Sequence, residues 1–412
     1  MTAPAQGQFR RLSVLIATSF VDMIGFSIVF PLLPFYTLRL HGSDFDVGLI
    51  TAAFSAAQIL SAPVWGRVSD RYGRRPALLI GLLASAAAYV VFGLANALWL
   101  LLASRFIQGA GGGTTGVAQA YVADTVQPGD RARALGWLSA ATSAGVMLGP
   151  AIGSFAARIN HEAPGFIAAA LCLVNAGFAW RWLPESRVRD PNAPPTPRKP
   201  VWHAAWSVIR QPRGPVPRLV WIYAAGMLAF SALSSVLALY LGAEFGVTEK
   251  TIAPVFVYVA TVGLLMRSLL LGPIVDRLGE TWTMRTGTIV LIVGLLLYPH
   301  AHSWFALAVV IPFVPVGTAL LFPATTALMS RKSDREELGT VMGVAQTFGG
   351  ISRVVAPLLA TFVFGHVGHV APFYVAAAIV AMVGVLAFQI EPAAPAPAPT
   401  SVADTPAAGS AA

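Results

Sequence analysis

Apolar runs of roughly twenty residues recur along this chain, each ended by a short polar stretch. Twelve are present, over about 12–36, 47–64, 77–95, 98–122, 134–158, 165–183, 217–241, 251–275, 285–302, 304–329, 338–363 and 370–390. A helix needs about 20 apolar residues to cross the hydrocarbon core of a bilayer. In lipid the backbone must close its hydrogen bonds within a helix or around a barrel, and these runs are far too long for barrel strands. The pattern predicts an all-α membrane protein with twelve transmembrane helices.

The runs fall into two sets of six. Residues 185–216 hold Pro191, Pro194, Pro195, Pro197 and Pro200 among arginines and polar groups, and read as a linker. Residues 1–184 and 217–390 are then two six-helix bundles, and 391–412 is a Pro/Ala tail expected to be disordered. The halves echo each other. Gly66 to Gly73 and Gly272 to Gly279 both read G-x-x-x-D-R-x-G, and Gly136 and Pro150 recur as Gly343 and Pro357. An offset of 206 or 207 residues relates both pairs, which points to a duplicated unit around a central site.

Composition sharpens the picture. Of 412 residues, 56% are hydrophobic and 11% charged, and the mean hydropathy is +0.70. Soluble domains carry about 25% charged residues, so most of this surface must face lipid. The net charge of +9 does not imply a nucleic-acid partner, because 21 of the 27 basic residues lie in segments on one side of the predicted membrane. That bias puts both termini in the cytoplasm. Cys172 is the single cysteine and reads as a packed thiol. Arg10 and Arg11 lead into a full-length span rather than a short signal-type core. No phosphate-binding G-x-x-x-x-G-K-[ST] loop, catalytic cluster or metal-ligand spacing is present; His300, His302, His366 and His369 sit near span ends on different loops. No enzyme activity, cofactor or metal is expected.

Three motifs and one lone acid carry the chemistry. After span two comes Gly66-Arg67-Val68-Ser69-Asp70-Arg71-Tyr72-Gly73-Arg74-Arg75-Pro76. Its glycines permit a tight turn, and its charges sit at the membrane face. Span four holds Arg105-Phe106-Ile107-Gln108-Gly109. An arginine inside a span costs about 2.5–3.5 kcal/mol, so it either has a partner, faces water, or snorkels to the outer face. Span five carries Gly136, Gly145, Gly149, Pro150 and Gly153; the last three glycines are four apart and share one face. Asp22 lies about 15 Å into span one at 1.5 Å per residue, and no other acid lies near the centre of a span. Such a carboxylate either gains and loses a proton or is held permanently by an arginine. Phe26 lies one turn on, along its face.

Together these motifs resemble the major facilitator superfamily, in particular its twelve-span drug:proton antiporters. The first half is similar to the tetracycline-exporter branch, through Asp22-Met23-Ile24-Gly25, Pro31 to Pro34, Ala123-Asp124-Thr125 and Gly136-Trp137-Leu138. The resemblance implies the major facilitator fold of two six-helix bundles and an alternating-access transporter. It implies gating contacts from Gly66, Asp70, Arg71, Gly73, Arg74 and Arg75, with Asp70 facing the start of span eleven and Arg74 pairing with Asp124. Gly272, Asp276, Arg277 and Gly279 are their counterparts. It also implies proton coupling through Asp22, Arg105 and Gln108, and export rather than uptake from the span-five motif. Where tetracycline exporters carry further intramembrane acids, this chain has Ala88 and about Leu291, so tetracycline is not assigned.

The expected substrate is a small amphipathic or apolar compound, exported against protons from a bacterial inner membrane by a monomer. Phe26, Tyr223, Phe230, Phe256, Arg267, Phe322, Gln346, Phe348 and Arg353 are candidate cavity residues. Arg267 and Arg353 are open between structural pairing and substrate contact. In the latter case the substrate is anionic or amphoteric, and a symporter or carrier for a metabolite or organic anion is the alternative. A receptor or scaffold without transport is the remaining class.

Overall fold

The computed structural model describes residues 3–127, 130–186, 206, 208–212, 214–333 and 337–391. Linker residues 187–205 and the tail from 392 onward lie outside the described residues. No strand occurs among those described.

Breaks in the helices follow local chemistry. Span one, Ala3–Val29, passes through a 3-10 turn at Phe30–Leu32 into Leu33–Arg39, because Pro31 and Pro34 each remove a backbone donor. Span two is longer than its apolar run: Asp44–Tyr72 continues past Pro63 and carries the polar signature out of the hydrocarbon. Span three is Arg74–Gly93. Span four is two helices, Leu98–Gly111 and Thr115–Thr125, joined by a 3-10 turn where consecutive glycines weaken the helix. Spans five and six are Arg131–Ile159 and Ala163–Trp182.

The second half repeats the plan. Span seven is Pro215–Phe245. Span eight runs from Ala253–Leu265 through a π turn at Met266–Leu270, and the next helix, Leu271–Leu297, kinks at Gly279 to become span nine. Span ten comprises Trp304–Val310 and Phe313–Lys332, span eleven Leu338–His366, and span twelve Ala371–Phe388. Ten helices pass a test of length and hydropathy; the stretch Ala253–His300 counts there once although it crosses twice, and the broken span four fails on length. With those two corrections the spans number twelve.

Packing within the halves is equivalent. Span one packs on five and six, and span three on four and six; likewise span seven packs on eleven and twelve, and span nine on ten and twelve. The halves meet chiefly through two pairs, span two with eleven and span five with eight, with smaller contacts from span seven to spans one and two.

These seams are closed at one end only. At the end bearing Arg39 and Glu249, here the far end, Gly48 faces Pro357 and Thr361, and Phe45 meets Phe362 edge-on at 6.4 Å. Arg39 reaches Glu249 across the halves at 2.6 Å. Further along, Thr261 bonds Met147 at 3.4 Å, and Ile59 packs into Gly350. Beyond that depth, toward the end bearing the two G-x-x-x-D-R-x-G turns, Gly66, Gly136, Gly272 and Gly339 have nothing within 4 Å of a would-be Cβ. From Gly48 to Gly66 is about 27 Å of helix at 1.5 Å per residue. Those four glycines, two from each half, look onto open space at the signature end, and we read the gap between the halves there as a cleft open on that side.

Candidate functional site: a polar core in one half facing an arginine in the other

The span-five glycines do what their spacing requires. A Cβ at Gly145 would come within 2.5 Å of the Phe20 carbonyl, one at Gly149 within 2.8 Å of the Ile24 carbonyl, and one at Gly153 would strike Ile28. The three glycines thus let spans one and five touch backbone to backbone, and the Ser27 hydroxyl donates to the Gly145 carbonyl at 3.2 Å. Pro150 lies buried in this contact zone. Gly136 takes no part, since its face opens on empty space. In the second half, Ser352, Ala356 and Ala360 stand at the corresponding small-residue positions, and Ser352 donates to the Ala224 carbonyl of span seven at 3.0 Å.

Asp22 is held on span one beside this contact. No hydrogen bond or ion pair engages its carboxylate among the described residues. Arg105 is 2% exposed but is not its partner: its guanidinium lies over the rings of Tyr89 and Phe92, at 5.8 and 5.2 Å, and its Nη2 is buried and unbonded. Gln108 donates its amide to the Tyr89 hydroxyl, leaving its own Oε1 unbonded. Tyr89 is in electrostatic range of both Asp22 and Arg105, and packs against Gly25 together with Cys172. Asn175 donates to the Thr18 carbonyl at 2.8 Å, one turn from Asp22, and its Oδ1 and the Thr18 hydroxyl oxygen are buried without partners.

Thus Arg105, Gln108, Tyr89, Asp22, Asn175 and Thr18 form a polar column inside an apolar bundle. Tyr89, Asn175 and Thr18 are the members that sequence reasoning missed. For Tyr89 the available signal was a phenol in a span whose other interior polar residue is Ser85. Phe26 stacks on Phe30 at 5.6 Å and lies 5.3 Å from Phe54, forming an aromatic wall on the same half.

At the signature end, Arg74 is the hub. Its Nε donates to Asp124 at 2.9 Å and its Nη1 to Asp70 at 2.8 Å, so the expected Arg74–Asp124 pair is present. Asp70 accepts from Arg74 of its own half, and Gly66 and Gly339 each have nothing within 4 Å of a would-be Cβ. Glu185, unnoticed in the sequence, folds back over the start of span three, accepting from the Arg74 and Arg75 amides at 2.8 and 3.1 Å. An anion there satisfies orphan amides and the positive end of the helix dipole. Gly73 has φ 108, and a Cβ on it would overlap the Glu185 carboxylate. Gly279 repeats the positive φ, at 74, and makes the kink between spans eight and nine. Arg71 lies over the Tyr72 ring at 5.4 Å, while Asp276 and Arg277 are exposed.

The duplication reaches these charges with reversed sign. The positions 206 and 207 residues beyond Arg74 and Asp124 are Glu280 and Arg331, which pair at 2.9 Å. That pair was legible in the repeat offset.

In the second half, the structure groups Tyr223, Phe322, Gln346, Phe348 and Arg353. Gln346 Nε2 lies 3.4 Å from the Tyr223 hydroxyl, the Tyr223 ring meets Phe322 edge-on at 5.4 Å, and Phe348 meets Trp221 at 5.2 Å. Arg353 is in electrostatic range of Tyr223. Phe256 packs against the same apolar cluster as Phe322 and Phe348, and Phe230 is 39% exposed. Arg267 stands apart on the π turn of span eight, exposed. Single turns of this kind are common at functional sites.

Comparison with known proteins agrees with this architecture. The chain is 30% identical to Multidrug resistance protein 1 of Bacillus subtilis over 382 residues, covering 90% of this chain and 94% of that one. It is 29% identical to the class C tetracycline resistance protein of Escherichia coli over 372 residues, covering 86% and 89%. Among solved structures, the human organic anion transporter MFSD10 (TETRAN) superposes with a TM-score of 0.70 at 23% identity, over 92% of this chain and 99% of that one. A bacterial homologue of the human lysosomal transporter Spinster, in an inward-facing and occupied conformation, gives 0.74 at 15% identity, over 95% and 97%. The profile of the Major Facilitator Superfamily matches residues 15–270 and 222–410, nearly the whole chain. With twelve spans in two equivalent bundles around a cleft, the chain is a member of the major facilitator superfamily.

Proposed function

We propose that this protein is a proton-coupled antiporter that exports a small amphipathic compound by alternating access. The observation that carries the proposal is Asp22: a membrane-embedded carboxylate with no partner, beside the glycine-lined contact of spans one and five. A carboxylate left without a partner can take up a proton at one stage of a cycle and release it when water or substrate arrives. Tyr89 and Gln108 link it toward Arg105, so the three side chains form a polar relay along the first bundle.

The relatives named as multidrug and tetracycline resistance proteins support export as the direction. The positive-inside bias supports a cytoplasmic signature end and cytoplasmic termini in a bacterial inner membrane. On that orientation, the structure is the inward-open state. Arg74, Asp70 and Asp124 brace the first bundle, Glu280 and Arg331 the second, and the Arg39–Glu249 pair seals the outer side. Residues 1–184 and 217–390 then rock as two bodies about a cytoplasmic linker at 185–216, and the unit works as a monomer.

Substrate-triggered proton movement in inside-out vesicles tests this, with the wild type compared to Asp22→Asn over a panel of antibiotics, dyes and metabolites. A compound that releases protons through the wild type and not the variant supports the proposal. Equal responses from both would show that Asp22 does not couple protons to transport.

A further inference from the structure

The second bundle contains a cation with no counter-charge. Arg353 lies near the middle of span eleven, where a charge costs about 2.5–3.5 kcal/mol. The two arginines buried most completely among the described residues have partners. Arg105 rests on two aromatic rings, and Arg285 donates to the carbonyls of Ala387 and Ile390 at 3.1 and 2.8 Å. No carboxylate, carbonyl or ring contact engages Arg353 among the described residues, and its Nε is buried and unbonded. No Asp or Glu occurs in the interior of any span of this half.

Its surroundings are built around that gap. Gly350 admits Ile59 of span two to 3.0 Å, and the Arg353 Nη2 lies 4.0 Å from the same point. The guanidinium therefore sits at the seam of the halves, at the depth where the cleft begins. Gly349 lets the Tyr223 ring approach to 2.8 Å of a would-be Cβ. The Tyr223 hydroxyl accepts from Gln346 and keeps its own proton free to donate. Trp221, stacked edge-on with Phe348, has a buried indole N–H with no acceptor. This wall offers hydrogen-bond donors and aromatic faces and almost no acceptors. Arg267, exposed on the π turn, adds a second positive charge on the open side.

We propose that Arg353, Tyr223 and Gln346 form an anion subsite that binds the carboxylate or sulfonate of an aromatic, amphipathic substrate. The proposal rests on the reading of the chain as an exporter and names the chemical class of its cargo: organic acids rather than cations. A planar guanidinium suits a carboxylate because it donates two parallel bonds, and the adjoining rings cover the apolar body of the ligand.

The test is direct binding to the purified full chain, using three fluorescent probes with one body: 1-pyrenebutyrate, its methyl ester, and 1-pyrenebutylamine. The wild type is expected to bind the carboxylate about tenfold or more tightly than the ester or the amine, the scale of a charge-assisted bond. Arg353→Gln is expected to bring the carboxylate-to-ester ratio within about twofold. Arg353→Lys should retain part of the preference, since lysine supplies the charge without the fork. Thermal unfolding of each variant shows that the ratio is read on folded protein. Equal binding of the three probes by the wild type, or an unchanged ratio in Arg353→Gln, overturns the subsite.

Proteoliposomes separate this from the exporter reading. Gradient-driven movement of ester or amine with no preference for the acid sinks the subsite and keeps export. An Arg353-dependent preference in binding, with no gradient-driven movement of any probe, keeps the subsite and sinks export.

Discussion

Replacing Glu249 by glutamine should open the far end of the molecule. The Glu249 side chain is 8% exposed and accepts from Arg39 Nη2 at 2.6 Å; His161 Nδ1 lies 3.1 Å from the same oxygen. The Tyr36 hydroxyl donates to the His161 carbonyl, tying this cluster to the end of span one. Arg39 and Glu249 belong to different halves, so the pair exists only while this end is closed, and its full worth bears on the balance of states. A fully exposed ion pair contributes about 0.2–1 kcal/mol, and loss of one partner from a buried pair costs about 3–5 kcal/mol. Arg39 is 36% exposed while Glu249 is nearly covered, so solvent screening places this pair between those limits. About 1–2 kcal/mol is a reasonable value, which multiplies the odds of far-end opening roughly 5- to 30-fold.

Distances between spin labels on Leu94→Cys and Val367→Cys would measure it. These positions are 56% and 72% exposed, in opposite halves at this end, and the native Cys172 is buried and will not label. The Glu249→Gln population should move toward longer distances. Exchanging the charges, with Arg39→Glu and Glu249→Arg together, should restore part of the closed population. Unchanged distances in Glu249→Gln, in a protein that melts like the wild type, would refute the latch.

Two further substitutions probe separate features. Gly73→Ala should destabilise by about 1–3 kcal/mol or more, because positive φ strains alanine and the Cβ displaces the Glu185 carboxylate from its amides. Gly279→Ala meets open space and should cost less, and equal losses in thermal unfolding would refute the role given to Glu185. Tyr89→Phe removes the hydroxyl that accepts from Gln108 and should slow substrate-triggered proton movement about tenfold, the scale of one hydrogen bond. Wild-type rates in the same vesicle assay would remove Tyr89 from the relay.

Much of the architecture could be read from the chain alone. Span positions follow from hydropathy, because every residue facing lipid must be apolar and every polar loop must leave it. The glycine face of span five follows from spacing along one helix and the duplication from a repeat offset, while the Arg74–Asp124 pair was implied by the family resemblance. Gly145, Gly149 and Gly153 needed only helical periodicity to be placed on one side. The same repeat offset would also have found Glu280 and Arg331.

The tertiary structure decided what depends on rotation about each helix axis and on the approach of distant segments. Tyr89 faces Gln108 and Asp22, not lipid, yet a lone phenol and a serine do not say which way span three is turned. In water a buried stripe stands out against a polar surface; in lipid both faces of a helix are apolar, so the pattern carries no phase. The carboxylate of Glu185 caps a helix that begins 111 residues earlier, and Arg39 meets Glu249 across 210 residues. Which end is open was likewise beyond the sequence. The same seams close at one end and part at the other, and the free energy between the two arrangements is set by a few contacts between halves rather than by any local preference of the chain.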